Sequence, residues 1–161
     1  MRRFEIISDK QWNKDISAQK GEVIQLGYQK PHRSTKHSAG YDFYSPIAIT
    51  IPAHEMVAIP TGIKAQMEND EVLSIYPRSG IGFKTGIRLA NTVGIIDSDY
   101  YDNEDNEGHI FIKIYNTSDN DFAVNVGDRF AQGIFTKFLI VDDEDAINSE
   151  RQGGLGSTNN S

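Results

Sequence analysis

The sequence contains no cysteine, so it can form no disulfide and offers neither a thiol nucleophile nor a cysteine zinc site. It has no apolar run near the ~18 residues that a membrane span needs, and residues 1–11 lack the apolar core of a secretory signal. The patterns HExxH, GxSxG and GxxxxGK[ST] are also absent, which removes support for a zinc protease, a serine hydrolase or a P-loop protein. A cytoplasmic protein without a membrane segment is expected.

Basic charge is scarce outside the first forty residues. The net charge is -7; residues 1–40 hold eight basic and four acidic side chains, whereas residues 97–150 hold three basic and fourteen acidic ones. Proteins that bind duplex DNA usually need a basic surface to displace counterions. Nucleic acid is therefore disfavoured as a partner, whereas a small phosphorylated ligand is not.

The length predicts one domain with a short tail. A chain of 161 residues with 38% hydrophobic residues can bury a sizeable core. We place the domain at residues 1–148 and the tail at residues 149–161. The tail holds three glycines, two asparagines and no aromatic residue, so it cannot build a core alone and must order on something else.

Short strands dominate the pattern and predict an all-β fold. In HIFIKIYN, alternation places Ile110, Ile112 and Ile114 on one face, while His109, Lys113 and Asn116 point elsewhere. Gly133 is a candidate β-bulge. Further strands are predicted at spacings of roughly ten residues, typical of a sandwich or barrel: Ile47–Ile51, Met56–Ile59, Gly62–Met67, Val72–Tyr76 and Arg129–Val141.

One helix is indicated near the N-terminus. Ser8 and Gln11 have the spacing of a capping box, and Trp12 and Ile16 lie four residues apart, on one helical face. An irregular arm remains an equal alternative.

Two stretches suggest a phosphate site. Ala39–Phe43 places Asp42 in an apolar context, where it is either a functional carboxylate or an ordinary edge residue. Pro77–Gly82 supplies the guanidinium of Arg78, the hydroxyl of Ser79 and a glycine, Gly80, that lets main-chain N–H groups approach an anion. An ordinary β-turn is the alternative.

The stretch Asn91–Tyr100 carries the most chemistry. A hairpin containing Gly94 would expose N–H and C=O groups that match the acceptor–donor–acceptor edge of uracil, together with the Asn91 amide. Asp97 then becomes a candidate general base. A solvent-facing turn is the competing interpretation.

Two more stretches complete the set. Val126–Gln132 puts Gln132 on an apolar face, where it needs a hydrogen-bond partner. Arg151–Thr158 holds one cation, three glycines and two hydroxyls, which is what a clamp over phosphates needs; a disordered terminus is the alternative.

Together and in this order, the five stretches resemble the motifs of the homotrimeric dUTP pyrophosphatases (dUTPases). They read AGYDF, RSG, NTVGIIDSDY, GDRFAQ and RQGGLGST, and they span Ala39 to Thr158. The resemblance implies a jelly-roll-like β-barrel with a first strand near Phe4–Ile7, and a trimer with active sites between subunits, into which a neighbour's tail reaches. It also implies hydrolysis of dUTP to dUMP and diphosphate, which keeps uracil out of DNA and supplies dUMP for thymidylate synthesis.

The resemblance also implies roles for individual residues. Asp97 would activate water, and Asp42 would touch the water shell of a Mg²⁺ ion held mainly by the substrate phosphates. Tyr100 would pack beneath the deoxyribose and exclude a 2′-hydroxyl. The remaining substrate-binding residues would be Arg78, Ser79, Gly80, Asn91, Gly94, Ile95, Ile96, Gln132, Arg151, Leu155, Gly156, Ser157 and Thr158.

The sequence departs from the family at three places. Leu155 stands where an aromatic residue is usual, and base stacking is worth ~1–3 kcal/mol, so weaker lid closure is expected. An acidic insert, residues 101–107, precedes Gly108 and is expected to project outward. The ending STNN replaces the frequent STG.

Two other functions compete. A dCTP deaminase shares the fold but needs a carboxylate on the strand after the uracil-binding segment, and HIFIKIYN has none. A binding or regulatory module would use the acidic insert, or the run Asp142–Asp145, as a surface for a protein partner; solvated loops are the simpler explanation of both.

Overall fold

The computed structural model describes residues 1–17, 28–145, 147, 151 and 153. In this part of the chain the strands are β1 (Arg3–Ile6), β2 (Tyr41–Tyr44), β3 (Ile49–Ile51), β4 (Met56–Pro60), β5 (Ile63–Gln66), β6 (Glu71–Pro77), β7 (Arg88–Leu89), β8 (Gly94–Asp97), β9 (Phe111–Tyr115), β10 (Phe122–Val124) and β11 (Arg129–Lys137). The helices are α1 (Asp9–Ile16) and α2 (Ser79–Thr85), and a single 3-10 turn covers Ser98–Tyr100. The predicted all-β class is confirmed.

The strands of the described residues form four antiparallel sheets around one core. The largest has the order β2–β11–β6–β8; the others are β4–β9–β7, β1–β5 and β3–β10. The predicted alternation in β9 is correct, since Ile110, Ile112 and Ile114 are all buried. They pack in the same core as Phe43 and Leu73.

Strand β11 is shorter than predicted, and its pairing with the neighbouring strands has no bulge at Gly133. It ends at Lys137, which pairs with Glu71 at the start of β6, so the residues beyond it have no facing position in β6. The bulge lies between Arg129 and Ala131 and not at Gly133. A Cβ at Gly133 would lie 2.9 Å from Cδ1 of Leu73, so close packing explains this glycine.

The helix near the N-terminus is confirmed, with a cap completed from a distant loop. The Ser8 hydroxyl accepts a hydrogen bond from the Gln11 N–H at 3.1 Å. The Gln11 side chain turns to Asp15 and does not return to Ser8. The Ser8 N–H instead donates to Oε2 of Glu107 at 3.0 Å. A carboxylate of the insert thus fills the second half of the capping box.

His109 and Asn116 were expected to point away from the core, but both are fully buried. Both flank β9. Asn116 lies two residues after Ile114 and so on the buried face of the alternation, whereas His109 is buried although it belongs to the opposite face. His109 lies beneath α1: Nδ1 is 2.6 Å from Oδ2 of Asp15, and Nε2 accepts from the Gly62 N–H at 2.9 Å. Burial lowers the pKa of His109, against the opposing effect of Asp15, and these contacts assign a neutral ring with its proton on Nδ1.

No helix among the described residues is long and apolar enough to cross a membrane.

Candidate active site

The carboxylate of Asp42 is buried among cationic and hydroxyl donors. Oδ1 lies 3.3 Å from Nε of Arg78, and Oδ2 lies 3.4 Å from Nη1 of Arg129. The Ser34 hydroxyl donates to Oδ2 at 2.6 Å. Only 7% of Asp42 is exposed, so this carboxylate holds two guanidinium groups in place, and the second cation leaves the cluster with a positive excess that favours an anion.

Strand register explains why three distant stretches meet here. Gln132 of β11 lies opposite Asp42 on one side and opposite Tyr76 of β6 on the other. The Gln132 amide donates to the Pro77 carbonyl at 3.1 Å, which supplies the partner that the sequence required. Its carbonyl end occupies the space that a Cβ at Gly40 would take, so the glycine of AGYDF makes room for Gln132.

The RSG stretch begins a helix and does not form a β-turn. Arg78 is the N-cap of α2, and its carbonyl accepts from the N–H groups of Ile81 and Gly82, each at 3.0 Å. The first N–H groups of a helix, here those of Ser79 and Gly80, have no partner within the helix. Both residues are exposed. A cation, a hydroxyl and main-chain donors therefore stand together at the end of β6.

This end of the molecule also contains a cavity of about 570 Å³. Arg78 and Arg129 line it together with apolar side chains, among them Ile81, Phe122 and Phe130. The two guanidinium groups that bind Asp42 thus also border this cavity.

The stretch Asn91–Asp97 does not form the predicted two-stranded hairpin. The strand before it, β7, pairs with β9, whereas β8 pairs with β6 in another sheet. The intervening turn contains Thr92, which has a φ of 67°. Since β8 is the outer strand of its sheet, the N–H and C=O groups on its free side can still bind a planar heterocycle. Asn91 is exposed beside it, as is Ile95, while Gly94 is buried against Ile75.

Asp97 stands at the end of β8 and is paired with the tail of its own chain. Nη2 of Arg151 lies 2.8 Å from Oδ2 of Asp97, and Nε of Arg151 lies 2.8 Å from Oδ1 of Asp99. The guanidinium also lies over the Tyr100 ring, 5.7 Å from its centroid. Only 13% of the Arg151 side chain is exposed. In this arrangement the candidate base is covered by a cation.

Asp97 and the Asp42 cluster lie at opposite ends of one strand. Asp97 pairs with Val72 near the start of β6, whereas Arg78 follows the last residue of β6. Six residues of extended chain span about 20 Å. A base must come within about 3.2 Å of the proton that it removes, so the two halves of one chain cannot act on the same phosphate group.

Tyr100 is buried, and its hydroxyl makes two hydrogen bonds. The residue is 6% exposed. Its hydroxyl donates to the His109 carbonyl at 2.9 Å and accepts from the Asn106 amide at 2.8 Å. Burial raises the pKa of the phenol, so the hydroxyl stays protonated at neutral pH.

The insert does not project outward, contrary to the prediction. Asn103 and Asn106 are buried within it, and Glu107 accepts from both the N–H and the hydroxyl of Ser8, at 3.0 and 2.5 Å. These bonds lower the pKa of Glu107. The loop therefore lies against α1, and the exposed acidic side chains are those of Asp102, Glu104 and Asp105.

Four predicted residues of the tail, Leu155, Gly156, Ser157 and Thr158, lie outside the described residues. Arg129 and Ser34 are the two functional candidates that the sequence did not single out. Arg129 belongs to the GDRFAQ stretch, so its position in that motif was an available signal; Ser34 belongs to no motif, and only the structure shows its contact with Asp42.

No group of three or more His, Asp or Glu side chains able to hold a metal ion occurs among the described residues. Mg²⁺ often binds through one or two carboxylates plus substrate phosphates and keeps several waters. Asp42, with its oxygens already accepting from Arg78, Arg129 and Ser34, fits contact through water better than direct ligation.

The comparisons with known proteins agree with the motifs. The dUTPase family model matches residues 28–159. A deoxyuridine 5'-triphosphate nucleotidohydrolase of Lactococcus lactis is 47% identical over 133 residues, 82% of this chain and 89% of that protein. One from Haemophilus ducreyi is 42% identical and covers 78% of this chain and 84% of its own length. The chain therefore belongs to the dUTPase family of hydrolases, which confirms the resemblance.

Solved structures support the same fold. The dUTPase of Streptococcus mutans superposes with a TM-score of 0.71 at 38% identity, covering 86% of this chain and 98% of that one. A dUTPase from phage phi11 of S. aureus, at 18% identity, has a TM-score of 0.68 over 91% of this chain and 96% of its own. The jelly-roll-like dUTPase fold is thereby confirmed.

Proposed function

We propose that this protein hydrolyses dUTP to dUMP and diphosphate at sites assembled between copies of the chain. The observation that carries the proposal is the separation of Asp97 from the Asp42 cluster by about 20 Å of β6. Each half has the residue types that phosphoryl chemistry needs, and each is incomplete alone. The homotrimer implied by the motifs supplies the missing half from a neighbouring subunit.

The phosphates bind where Arg78 and Arg129 flank Asp42. The guanidinium groups of Arg78 and Arg129, the Ser79 hydroxyl and the first N–H groups of α2 donate to phosphate oxygens. Gln132 lies at the same place through the register of β11. When bound, Mg²⁺ would neutralise charge on the three phosphates, with Asp42 contacting its water shell. Phosphoryl transfer depends mainly on such positioning and charge stabilisation.

Asp97 acts as the general base. It orients a water molecule toward the α-phosphorus and removes its proton, so that diphosphate leaves. Arg151 must first release Asp97, because a guanidinium 2.8 Å from the carboxylate occupies the position of the water. In the proposal, the incoming triphosphate attracts Arg151. The tail residues 155–158 of a neighbouring subunit then close over the triphosphate. The tail, residues 149–161, then functions as a unit separate from the domain at residues 1–148.

The nucleoside binds along the free edge of β8. Its main-chain groups and the Asn91 amide match the edge of uracil, and the exposed Ile95 and half-buried Ile96 provide apolar cover. Tyr100 packs beneath the deoxyribose and excludes a ribose 2′-hydroxyl. Hydrolysis of dUTP in the cytoplasm would keep uracil out of DNA and supply dUMP for thymidylate synthesis.

A partner surface on the acidic insert is a second proposal. The loop is held on α1, and it presents Glu104 and Asp105 to solvent. Deleting the whole insert would also remove Asn106, which binds Tyr100. The suitable test is the double variant Glu104→Gln, Asp105→Asn in a pull-down: a partner lost while hydrolysis persists supports the proposal, and an unchanged set of partners refutes it.

Product analysis tests the enzymatic function directly. The protein is incubated with Mg²⁺ and, separately, dUTP, UTP, dTTP and dCTP. Diphosphate and dUMP from dUTP alone are the expected result. Ammonia from dCTP would indicate a deaminase, and no product from any of the four nucleotides would refute the proposal.

A further inference from the structure

The aromatic ring of Tyr100 is held by the insert that follows it. The phenol accepts a hydrogen bond from Nδ2 of Asn106 at 2.8 Å and donates to the carbonyl of His109 at 2.9 Å. The hydroxyl thus both donates and accepts a hydrogen bond inside the protein, so the ring cannot rotate or tilt without breaking a buried hydrogen bond.

A second amide holds the backbone of the same residue. Nδ2 of Asn103 donates to the Tyr100 carbonyl and to Oδ1 of Asn106, each at 2.8 Å. Oδ1 of Asn103 accepts from the Asn106 N–H at 3.1 Å, and Oδ1 of Asn106 accepts from the Gly108 N–H at 3.1 Å. The two amides thus form one connected network in which each fixes the other, and both are at least nine-tenths buried.

This network is itself fastened to the N-terminal helix. Glu107 accepts two hydrogen bonds from Ser8, the cap of α1. The ammonium of Lys14 donates to the Asp105 carbonyl at 2.8 Å, and Lys64 pairs with Asp102. The insert therefore has fixed ends, and a displacement of Asn106 would have to move α1 or break these contacts.

We infer that Asn106, oriented by Asn103, is a positioning residue for sugar selectivity. The inference rests on the proposed function, in which Tyr100 lies against the deoxyribose. Excluding one additional hydroxyl requires a wall that does not recede, and a ring anchored only by its Cβ can tilt away. The Asn106 bond, together with the bond to the His109 carbonyl, keeps the far end of the ring in place. The insert thus contributes to the choice between deoxyribose and ribose from behind the ring, without touching the nucleotide.

Three variants test this inference. Asn106→Ala removes the amide that binds the phenol, and Tyr100→Phe removes the phenol's bonds to both Asn106 and the His109 carbonyl. Glu104→Ala changes an exposed residue of the same loop. We expect each of the first two to lower the ratio of kcat/KM for dUTP over UTP by about tenfold, with most of the change in KM, and the control to leave it unchanged. The double variant Tyr100→Phe, Asn106→Ala should show no further fall in that ratio below the value of Tyr100→Phe, because Tyr100→Phe already removes the bond to Asn106.

The outcomes separate positioning from plain stability. A lower midpoint of thermal unfolding with an unchanged dUTP/UTP ratio in both single variants would mean that the network only stabilises the loop, and it would overturn the inference. Additive effects in the double variant would overturn it as well. If Asn106→Ala does not fold, Tyr100→Phe still decides: it keeps the ring and removes the hydroxyl's bonds to Asn106 and His109, so an unchanged dUTP/UTP ratio in that variant overturns the inference. A wild-type protein that does not hydrolyse dUTP refutes the proposed function and the inference together, whereas an active wild type with unselective variants supports both.

Discussion

Two inactive variants should restore activity when their subunits are mixed. Asp97→Asn removes the candidate base, and Arg78→Ala removes a guanidinium from the Asp42 cluster. Each variant alone lacks one half of every site. Because Asp97 and Arg78 lie at opposite ends of β6, about 20 Å apart along the strand, a site built between subunits takes these two residues from different chains. A mixed oligomer can therefore contain sites in which both residues are the wild-type ones.

The size of the recovery follows from random assortment. In an equal mixture, half of the chains carry Asp97 and the other half carry Arg78. A site that draws the two residues independently from different subunits is intact in about one quarter of cases. We therefore expect a kcat near one quarter of the wild-type value per subunit, with a KM close to that of the wild type. A site within one chain would give no recovery at all, since every chain lacks one of the two residues.

The assay measures diphosphate release from dUTP after the two variants are unfolded in urea, mixed in equal amounts and refolded together. Refolding each variant separately and combining the products afterwards is the control for exchange, and it should stay inactive. Capture of untagged Arg78→Ala by affinity-tagged Asp97→Asn from the refolded mixture is the control for mixing, because wild type refolded with Asp97→Asn keeps about half of its activity whether or not the chains mix. If both controls behave as expected and the mixture of the two variants is still inactive, the reasoning from the β6 register is refuted.

Three further predictions concern single residues. Asp97→Asn should keep nucleotide binding and the oligomer but lower turnover by about 10²–10⁴-fold; near-normal turnover would remove Asp97 as the base. Burial lowers the pKa of His109 below its ordinary value of 6.5, so the unfolded chain binds this proton more readily. The free energy of unfolding should then be insensitive to His109 well above pH 6.5 and fall as the pH drops below that value. Urea titrations at about pH 7.5 and about pH 5.5 check this against His109→Asn, which should show a weaker pH dependence. Gly133→Ala should cost about 1–3 kcal/mol, because its Cβ would lie 2.9 Å from Leu73 and 3.0 Å from Phe43; Gly80→Ala, which meets nothing within 4 Å, is the matched control in the same urea titration.

The contacts of the insert could not be predicted from its local sequence. Its composition, DNEDNE, is typical of a solvated loop, and it was expected to project outward. Two features were hidden in that composition: the asparagines are buried around Tyr100, and Glu107 caps a helix 99 residues earlier in the chain. A local pattern describes what a residue can bind, but the partner that makes burial favourable is distant, so no window of sequence contains it.

By itself the sequence determined the chemistry available to this protein. The alternation of Ile110, Ile112 and Ile114, the Ser8 cap and the five motifs are local features, and propensity, periodicity and residue type encode such features directly. Only the tertiary structure decided which of those groups meet. The registers of β11 with β2 and β6 bring Gln132 and Arg129 to Asp42, and the register of β6 with β8 sends Asp97 to the far end. Register depends on burying one face of every strand in a common core, since a shift by one residue would turn each side chain to the other face, and that is a property of the whole sheet and not of any segment.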